Sequence, residues 1–89
     1  MAPSILIVED DRHFAAILTD YLGWIGFQVE HAADGDAGIR SLETSVPDVV
    51  LTDVLLPHMT GIELARRIKR GEVGPPPVAE VPVVLMSAV

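Results

Sequence analysis

The chain has few basic residues and no cysteine, and these shortages exclude several classes of protein. Its 89 residues include 6 Lys and Arg against 13 Asp and Glu, which gives a net charge of −7. Nucleic acids and anionic membrane surfaces attract clustered positive charge, so we expect neither as a direct partner of this domain. Without cysteine there is neither a disulfide framework nor a thiolate metal site.

Long apolar runs and targeting signals are also missing. No stretch is long enough to span a bilayer. The first residues carry no positive charge, and three acids follow at positions 9–11, which is unlike a secretory signal peptide. We therefore expect a cytoplasmic protein, with residues 1–89 forming one small domain.

Three short apolar runs end in polar residues. Ile5–Val8 stops at the three acids, the run 49–52 stops at Asp53, and the run 83–86 stops at Ser87. Continuous apolar runs are typical of parallel strands that helices cover on both faces. In such sheets, ligands bind beyond the carboxyl ends of the strands. The pattern therefore predicts one pocket that gathers Glu9, Asp10, Asp53 and Ser87.

Strand and helix signals alternate along the chain and predict the order βαβαβαβ. The predicted strands are Ile5–Val8, Phe27–Glu30, Asp48–Asp53 and Pro82–Met86, and the predicted helices are Asp11–Leu22, Asp34–Thr44 and Thr60–Arg70. Residues 27–30 alternate apolar and polar side chains, which indicates an edge strand, and residues 71–81 are expected to form an extended connection containing a stiff proline run. The order favours a doubly wound parallel α/β domain.

Some residues have a simpler structural explanation. Asp11 is expected to cap the first helix. The histidines at 13, 31 and 58 show no ligand spacing, so we expect ordinary surface histidines. Trp24 is expected in the core or as an exposed remnant of a missing contact. Asp53 alone could simply accept backbone hydrogen bonds, but the polar residues at the neighbouring strand ends favour a functional role.

The strand-end motifs resemble the receiver domain of two-component response regulators. They are ILIVEDD at 5–11, DVLLPHMTG at 53–61 and VVLMSA at 83–88, and the resemblance extends from residue 4 to residue 89. It implies the flavodoxin-like receiver fold. It also implies a signalling domain rather than an enzyme. Such a domain takes a phosphoryl group from a sensor histidine kinase or a phosphotransfer protein and can remove that group itself.

The same resemblance implies a role for each site residue. Asp53 is the phosphoacceptor. Mg²⁺ is held by Asp10 and Asp53, by Glu9 through water, and by the backbone carbonyl of Leu55. Ser87 supplies the hydroxyl that contacts the phosphoryl group and acts as the switch.

The chain also departs from the family pattern. Receiver domains continue into a fourth helix, a fifth strand that ends in a lysine, and a fifth helix, so the resemblance implies a domain that is incomplete after the fourth strand. Lys69 is the only lysine in the chain, and it does not lie at a predicted strand end. The missing elements would leave apolar surface on the first helix and an open edge on the fourth strand. A homodimer that completes the fold is one arrangement that would cover them.

Three functions therefore stay open. The first is the phosphoacceptor domain, which switches a downstream output. The second is a receiver-like module that binds partners without phosphorylation, which the absent lysine suggests. The third is a Mg²⁺-dependent phosphohydrolase, which is less favoured because Leu55 occupies the position where many such enzymes have a second acid.

Overall fold

The computed structural model describes residues 2–87 and shows one parallel sheet with three α-helices. The strands pair in the order β2-β1-β3-β4, and every pair is parallel. The predicted element order and flavodoxin-like architecture are confirmed, and β2 lies at an edge, as its alternating pattern indicated. The strands are β1 (Ser4–Val8), β2 (Gln28–Ala32), β3 (Val49–Asp53) and β4 (Val83–Met86), and the helices are α1 (Arg12–Trp24), α2 (Gly35–Thr44) and α3 (Gly61–Lys69).

The core forms because β1 is apolar on both faces. Leu6 and Val8 are buried in one cluster with Leu42 of α2 and Leu64 of α3. Successive side chains of a strand point to opposite faces, so Ile7, which is also fully buried, faces the other way. Within residues 2–87, α1 is the helix left to cover that second face. Helices therefore pack on both faces of the sheet, and the parallel pairing of its strands brings their carboxyl ends together at one edge.

Polar side chains fix the start of each helix. The carboxylate of Asp11 accepts hydrogen bonds from two backbone N–H groups in the first turn of α1, which confirms its expected capping role. Asp34 accepts one such bond at the start of α2, and the hydroxyl of Thr60 accepts one at the start of α3. These bonds satisfy N–H groups that have no partner inside the helix.

The connection between α3 and β4 is not extended, so that prediction is wrong. Pro76–Glu80 forms a 3-10 helix, and Val78 within it is fully buried in the core. Proline is compatible with the first positions of a helix, where no backbone donor is needed. The ammonium group of Lys69 donates hydrogen bonds to the backbone carbonyls of Ala79 and Val81. The connection is thereby packed into the domain and held at its end.

Apolar side chains of α1 and β4 remain exposed. Four of them recur at helical spacing along α1 and are 42% to 83% exposed, and Val84 of β4, at the open edge of the described sheet, is 48% exposed. This agrees with the expected bare surface on the first helix and the open fourth strand, and it places Trp24 outside the core. We call this group the α1–β4 apolar surface: Phe14, Ile17, Tyr21, Trp24 and Val84.

Gly61 allows α3 to begin directly against the end of β3. Its N–H donates a hydrogen bond of 2.8 Å to the carbonyl of Val54. A Cβ at this position would lie 2.1 Å from the backbone carbonyl oxygen of Asp53, which is far inside van der Waals contact. Only glycine therefore allows this short connection between Asp53 and the helix that follows.

We expect Gly61→Ala to destabilise the domain by about 1–3 kcal/mol, because the added methyl group forces the end of β3 away from α3. Urea unfolding measures this difference. Gly23→Ala is the matched control, since nothing lies within 4 Å of a Cβ there. This helical glycine should tolerate alanine and gain up to about 1 kcal/mol. A Gly61→Ala domain as stable as the wild type would contradict the close approach.

Candidate functional site

Three carboxylates meet at the carboxyl edge of the sheet. Glu9 and Asp10 follow β1, and Asp53 ends β3. These two strands pair directly, with Val8 beside Thr52, so the residues after them reach the same place. One carboxylate oxygen from each acid lies within 4.8 Å of the others. We call Glu9, Asp10 and Asp53 the acidic cluster.

Glu9 is the buried member of the acidic cluster and is only 3% exposed. Its N–H donates to the carbonyl of Ala32 at 3.0 Å, and its carboxylate accepts a bond of 3.0 Å from the N–H of Asp11. The Glu9 carbonyl lies 2.7 Å from Nε2 of His31. A carbonyl can only accept, so Nε2 is the protonated donor. Both the backbone and the side chain of Glu9 are therefore fixed.

The electrostatics of the cluster favour a bound cation. Burial raises the pKa of Glu9 above its ordinary value, and the neighbouring carboxylates of Asp53 and Asp10 raise it further. The hydrogen bond from the N–H of Asp11 opposes the shift only in part. A cation would remove this repulsion and keep all three groups ionised. Clustered carboxylate oxygens are the donor set that a hard cation such as Mg²⁺ prefers, so the residues fit this metal.

Asp53 is half-buried and lines an open cavity of about 510 Å³. Its Oδ1 accepts a hydrogen bond of 3.3 Å from the N–H of Leu55, which orients the carboxylate. The cavity gives a ligand from solvent access to this group. The structure shows the N–H of Leu55 in contact with Asp53, whereas its carbonyl as a metal ligand stays a prediction. The cavity is lined by the acidic cluster together with Asp11, Phe14, Met86 and Ser87.

Ser87 reaches the same cavity from the end of β4. The ends of β3 and β4 are joined here by a hydrogen bond of 2.9 Å from the N–H of Val54 to the carbonyl of Met86. Ser87 and the acidic cluster therefore lie at one edge, where the strand-end pattern placed them. The role of its hydroxyl toward a phosphoryl group stays a prediction.

No lysine lies beside the acidic cluster within residues 2–87. The single lysine of the chain, Lys69, is the last residue of α3. Since α3 begins next to Asp53 and runs away from it, Lys69 lies at the far end of this helix. Its ammonium group is bonded to the end of the 3-10 helix. It therefore serves the packing of the α3–β4 connection rather than the site.

His31 is the residue at the site that sequence reasoning missed. All three histidines are exposed, as expected, yet His31 also contacts the backbone of Glu9. His31 lies on β2 and pairs with Ile7 of β1, so its ring is close enough to reach the end of β1. A polar side chain near the end of a neighbouring strand was the available signal, but the register of the pairing was needed to recognise it.

The comparisons with known sequences identify a family. The family model for the response regulator receiver domain matches residues 5–89. The chain is 35% identical to the transcriptional regulatory protein AfsQ1 of Streptomyces coelicolor, over 97% of this chain and 35% of that protein. It is 32% identical to the phosphate regulon transcriptional regulatory protein PhoB of Rhizobium meliloti, over 99% of this chain and 37% of that protein. The chain thus spans roughly a third of the length of these relatives.

Solved structures of receiver domains share the fold. The signal receiver domain of a histidine kinase from Syntrophus aciditrophicus is similar with a TM-score of 0.88 and 36% identity, over 99% of this chain and 64% of that one. The receiver domain of a Pseudomonas aeruginosa sensor histidine kinase, solved with a magnesium ion coordinated in its active site cleft, gives a TM-score of 0.83 and 29% identity. That match covers 96% of this chain and 66% of the other.

We expect Glu9→Gln to stabilise the metal-free domain at neutral pH. A raised pKa means that the folded state binds the Glu9 proton more tightly than the unfolded state does. The free energy of unfolding therefore falls as pH rises from the ordinary glutamate pKa of 4.5 through the raised pKa. Glutamine keeps an acceptor for the N–H of Asp11 and removes this loss. Urea unfolding in EDTA across this pH range measures the difference, which should shrink on acidification.

Mg²⁺ should reverse the order of stability. At 100 times its dissociation constant, Mg²⁺ would stabilise the wild type by about 2.7 kcal/mol, and Glu9→Gln should gain less. Glu43→Gln, at an exposed position of α2, is the control and should change neither the pH dependence nor the Mg²⁺ effect. A wild type that is more stable than Glu9→Gln in EDTA at pH 7 would contradict the repulsive cluster.

Proposed function

The chain belongs to the response regulator receiver domain family, and from this we propose that it is a phosphoacceptor in two-component signalling. The donor is a phosphohistidine on a sensor histidine kinase or a phosphotransfer protein, and the acceptor is Asp53. In the transfer, the P–N bond to the donor imidazole breaks and a P–O bond to the carboxylate forms, leaving an acyl phosphate. The added charge then biases the domain toward a state that switches a downstream output.

The observation that carries this proposal is the meeting of Glu9, Asp10 and Asp53 within 4.8 Å beside an open cavity. Phosphoryl transfer needs a positioned nucleophile and neutralisation of the negative charge that surrounds it. All three acids line the cavity. Asp53 is the member best suited to attack, because its Oδ1 is oriented by the N–H of Leu55, whereas Asp10 is exposed. Glu9 is too buried for that role.

We propose the metal ligands that the resemblance to receiver domains implies. Asp10 and Asp53 hold Mg²⁺ directly, Glu9 acts through water, and the carbonyl of Leu55 completes the protein ligands. Glu9 already accepts a bond from a backbone N–H, which suits an indirect role. When bound there, Mg²⁺ would offset the negative charge of these carboxylates and of an incoming phosphoryl group. The Mg²⁺ in the active site cleft of the Pseudomonas aeruginosa receiver domain supports the choice of this cation.

Ser87 is the proposed switch residue. Its place in the cavity allows its hydroxyl to donate to the new phosphoryl oxygens, which would draw the end of β4 toward Asp53. We propose a signalling domain that can also dephosphorylate itself, when water attacks the acyl phosphate.

The setting of the whole protein is also a proposal, because the chain spans only about a third of the relatives named above. We propose a cytoplasmic domain that contacts a kinase and makes no direct contact with nucleic acid, in keeping with its net charge of −7. No helix within residues 2–87 is long and apolar enough to cross a membrane.

The α1–β4 apolar surface favours a second candidate function, a receiver-like module that binds a partner without phosphorylation. Its five side chains are exposed along α1 and on β4, the edge strand of the sheet within residues 2–87, an arrangement that favours pairing with another chain. A homodimer in which a second copy covers this surface is the form we test. A phosphohydrolase is less favoured, since position 55 holds no second acid.

We expect the purified chain to gain one phosphoryl group when it is incubated with Mg²⁺ and acetyl phosphate, as read by intact mass. Asp53→Asn should gain none, because an amide is not nucleophilic. Asp20→Asn, at an exposed position of α1, is the matched control and should be modified like the wild type. An unmodified wild type, or modification that survives Asp53→Asn, would contradict the phosphoacceptor role.

We expect Ile17→Glu to weaken self-association by about tenfold or more, because it would bury a carboxylate without a partner. Sedimentation velocity over a range of concentrations measures this effect. Ala16→Glu adds the same charge at the neighbouring exposed position, outside the α1–β4 apolar surface, and should associate like the wild type. A wild type that stays monomeric at all concentrations would reject the homodimer.

A further inference from the structure

The peptide between Glu9 and Asp10 lies just beyond the end of the β1–β2 ladder. The last paired residues are Val8 and Ala32, and the N–H of Glu9 still donates to the carbonyl of Ala32. Beyond that point, β2 ends and its chain turns toward α2. The carbonyl of Glu9 is held instead by a side chain, since Nε2 of His31 donates to it at 2.7 Å.

This hydrogen bond fixes the orientation of one peptide plane. The carbonyl of Glu9 and the N–H of Asp10 belong to the same planar unit, so rotating one rotates the other. The direction in which Asp10 leaves its backbone depends on that plane. The side chain of Asp10 is itself exposed, so little packing is available to hold it. The contact from His31 is therefore the restraint closest to Asp10 that the neighbouring strand provides.

We infer that His31 is a positioning residue for the Mg²⁺ site. By holding the carbonyl of Glu9, it keeps Asp10 directed at Asp53 and lowers the cost of gathering the acidic cluster around a cation. The inference rests on the proposed function, since it concerns the same metal site. This role of His31 needs a hydrogen-bond donor at the position of Nε2 and does not depend on the charge of the ring. Removing a partner that orients a metal ligand typically weakens metal binding by about 10- to 100-fold.

The chain offers variants that separate the hydrogen bond from the ring. His31→Leu keeps much of the side-chain volume and removes the donor. His31→Gln keeps an N–H near the place of Nε2 and should restore the contact. His13→Leu removes an exposed imidazole from the first turn of α1 and leaves the carbonyl of Glu9 held. His31 is exposed on an edge strand, so these changes leave the core intact.

Two measurements on the full 89-residue chain test the inference. Calorimetric titration with Mg²⁺ should show binding about tenfold weaker in His31→Leu, with His31→Gln and His13→Leu close to the wild type. In the metal-free state, ¹⁵N spectra should show the amides of Asp10 and Asp11 shifted in His31→Leu and near their wild-type positions in His31→Gln. If His31→Leu fails to fold, His31→Thr, a good strand former without a donor of sufficient reach, takes its place.

The contradicting results are distinct. Unchanged Mg²⁺ affinity and unchanged Asp10 amide shifts in His31→Leu would overturn the inference and leave the proposed function standing. Equal weakening in His31→Gln and His31→Leu would also overturn it, because the donor would then not be the cause. A wild type that binds no Mg²⁺ would overturn both this inference and the proposed metal site.

Discussion

The parallel pairing of β1 with β3 places Val8 beside Thr52, and the site depends on this register. It carries the residues after both strands to one edge, so Glu9 and Asp53 meet although they are far apart in sequence. The pairing is stabilised by burial of both strands in the core shared with α2 and α3. Gly61 then lets α3 start against the end of β3. Packing of the core and placement of the acids are therefore one and the same constraint.

The acidic cluster works against the stability that this packing provides. Carboxylates held this close repel one another, and burial of Glu9 makes its ionised form less favourable still. The fold restrains them with backbone hydrogen bonds, from Asp11 to the carboxylate of Glu9 and from Leu55 to that of Asp53. A bound cation would relieve this repulsion, so cation binding would stabilise the folded domain.

Sequence reasoning located Glu9 and Asp53 because apolar runs end in acids, a signal local to each strand. It could not show that Pro76–Glu80 forms a 3-10 helix, since the burial of that segment comes from packing against distant elements. It also ended β2 too early, because the pairing that extends this strand to Ala32 is set by β1. The contact of His31 was missed for the same reason, as it depends on register between strands. Local chemistry was readable from the chain, whereas contacts between elements required the fold.

The proposed function requires the acidic cluster to form one divalent cation site beside Asp53. Paramagnetic broadening by substoichiometric Mn²⁺ in ¹⁵N spectra tests it most directly, because broadening falls steeply with distance from the ion. We predict that the amides of residues 9–11, 53–55 and 87 broaden first, while those of residues 43–45, at the end of α2, stay sharp. Uniform broadening, or broadening centred elsewhere on this acidic chain, would contradict the account.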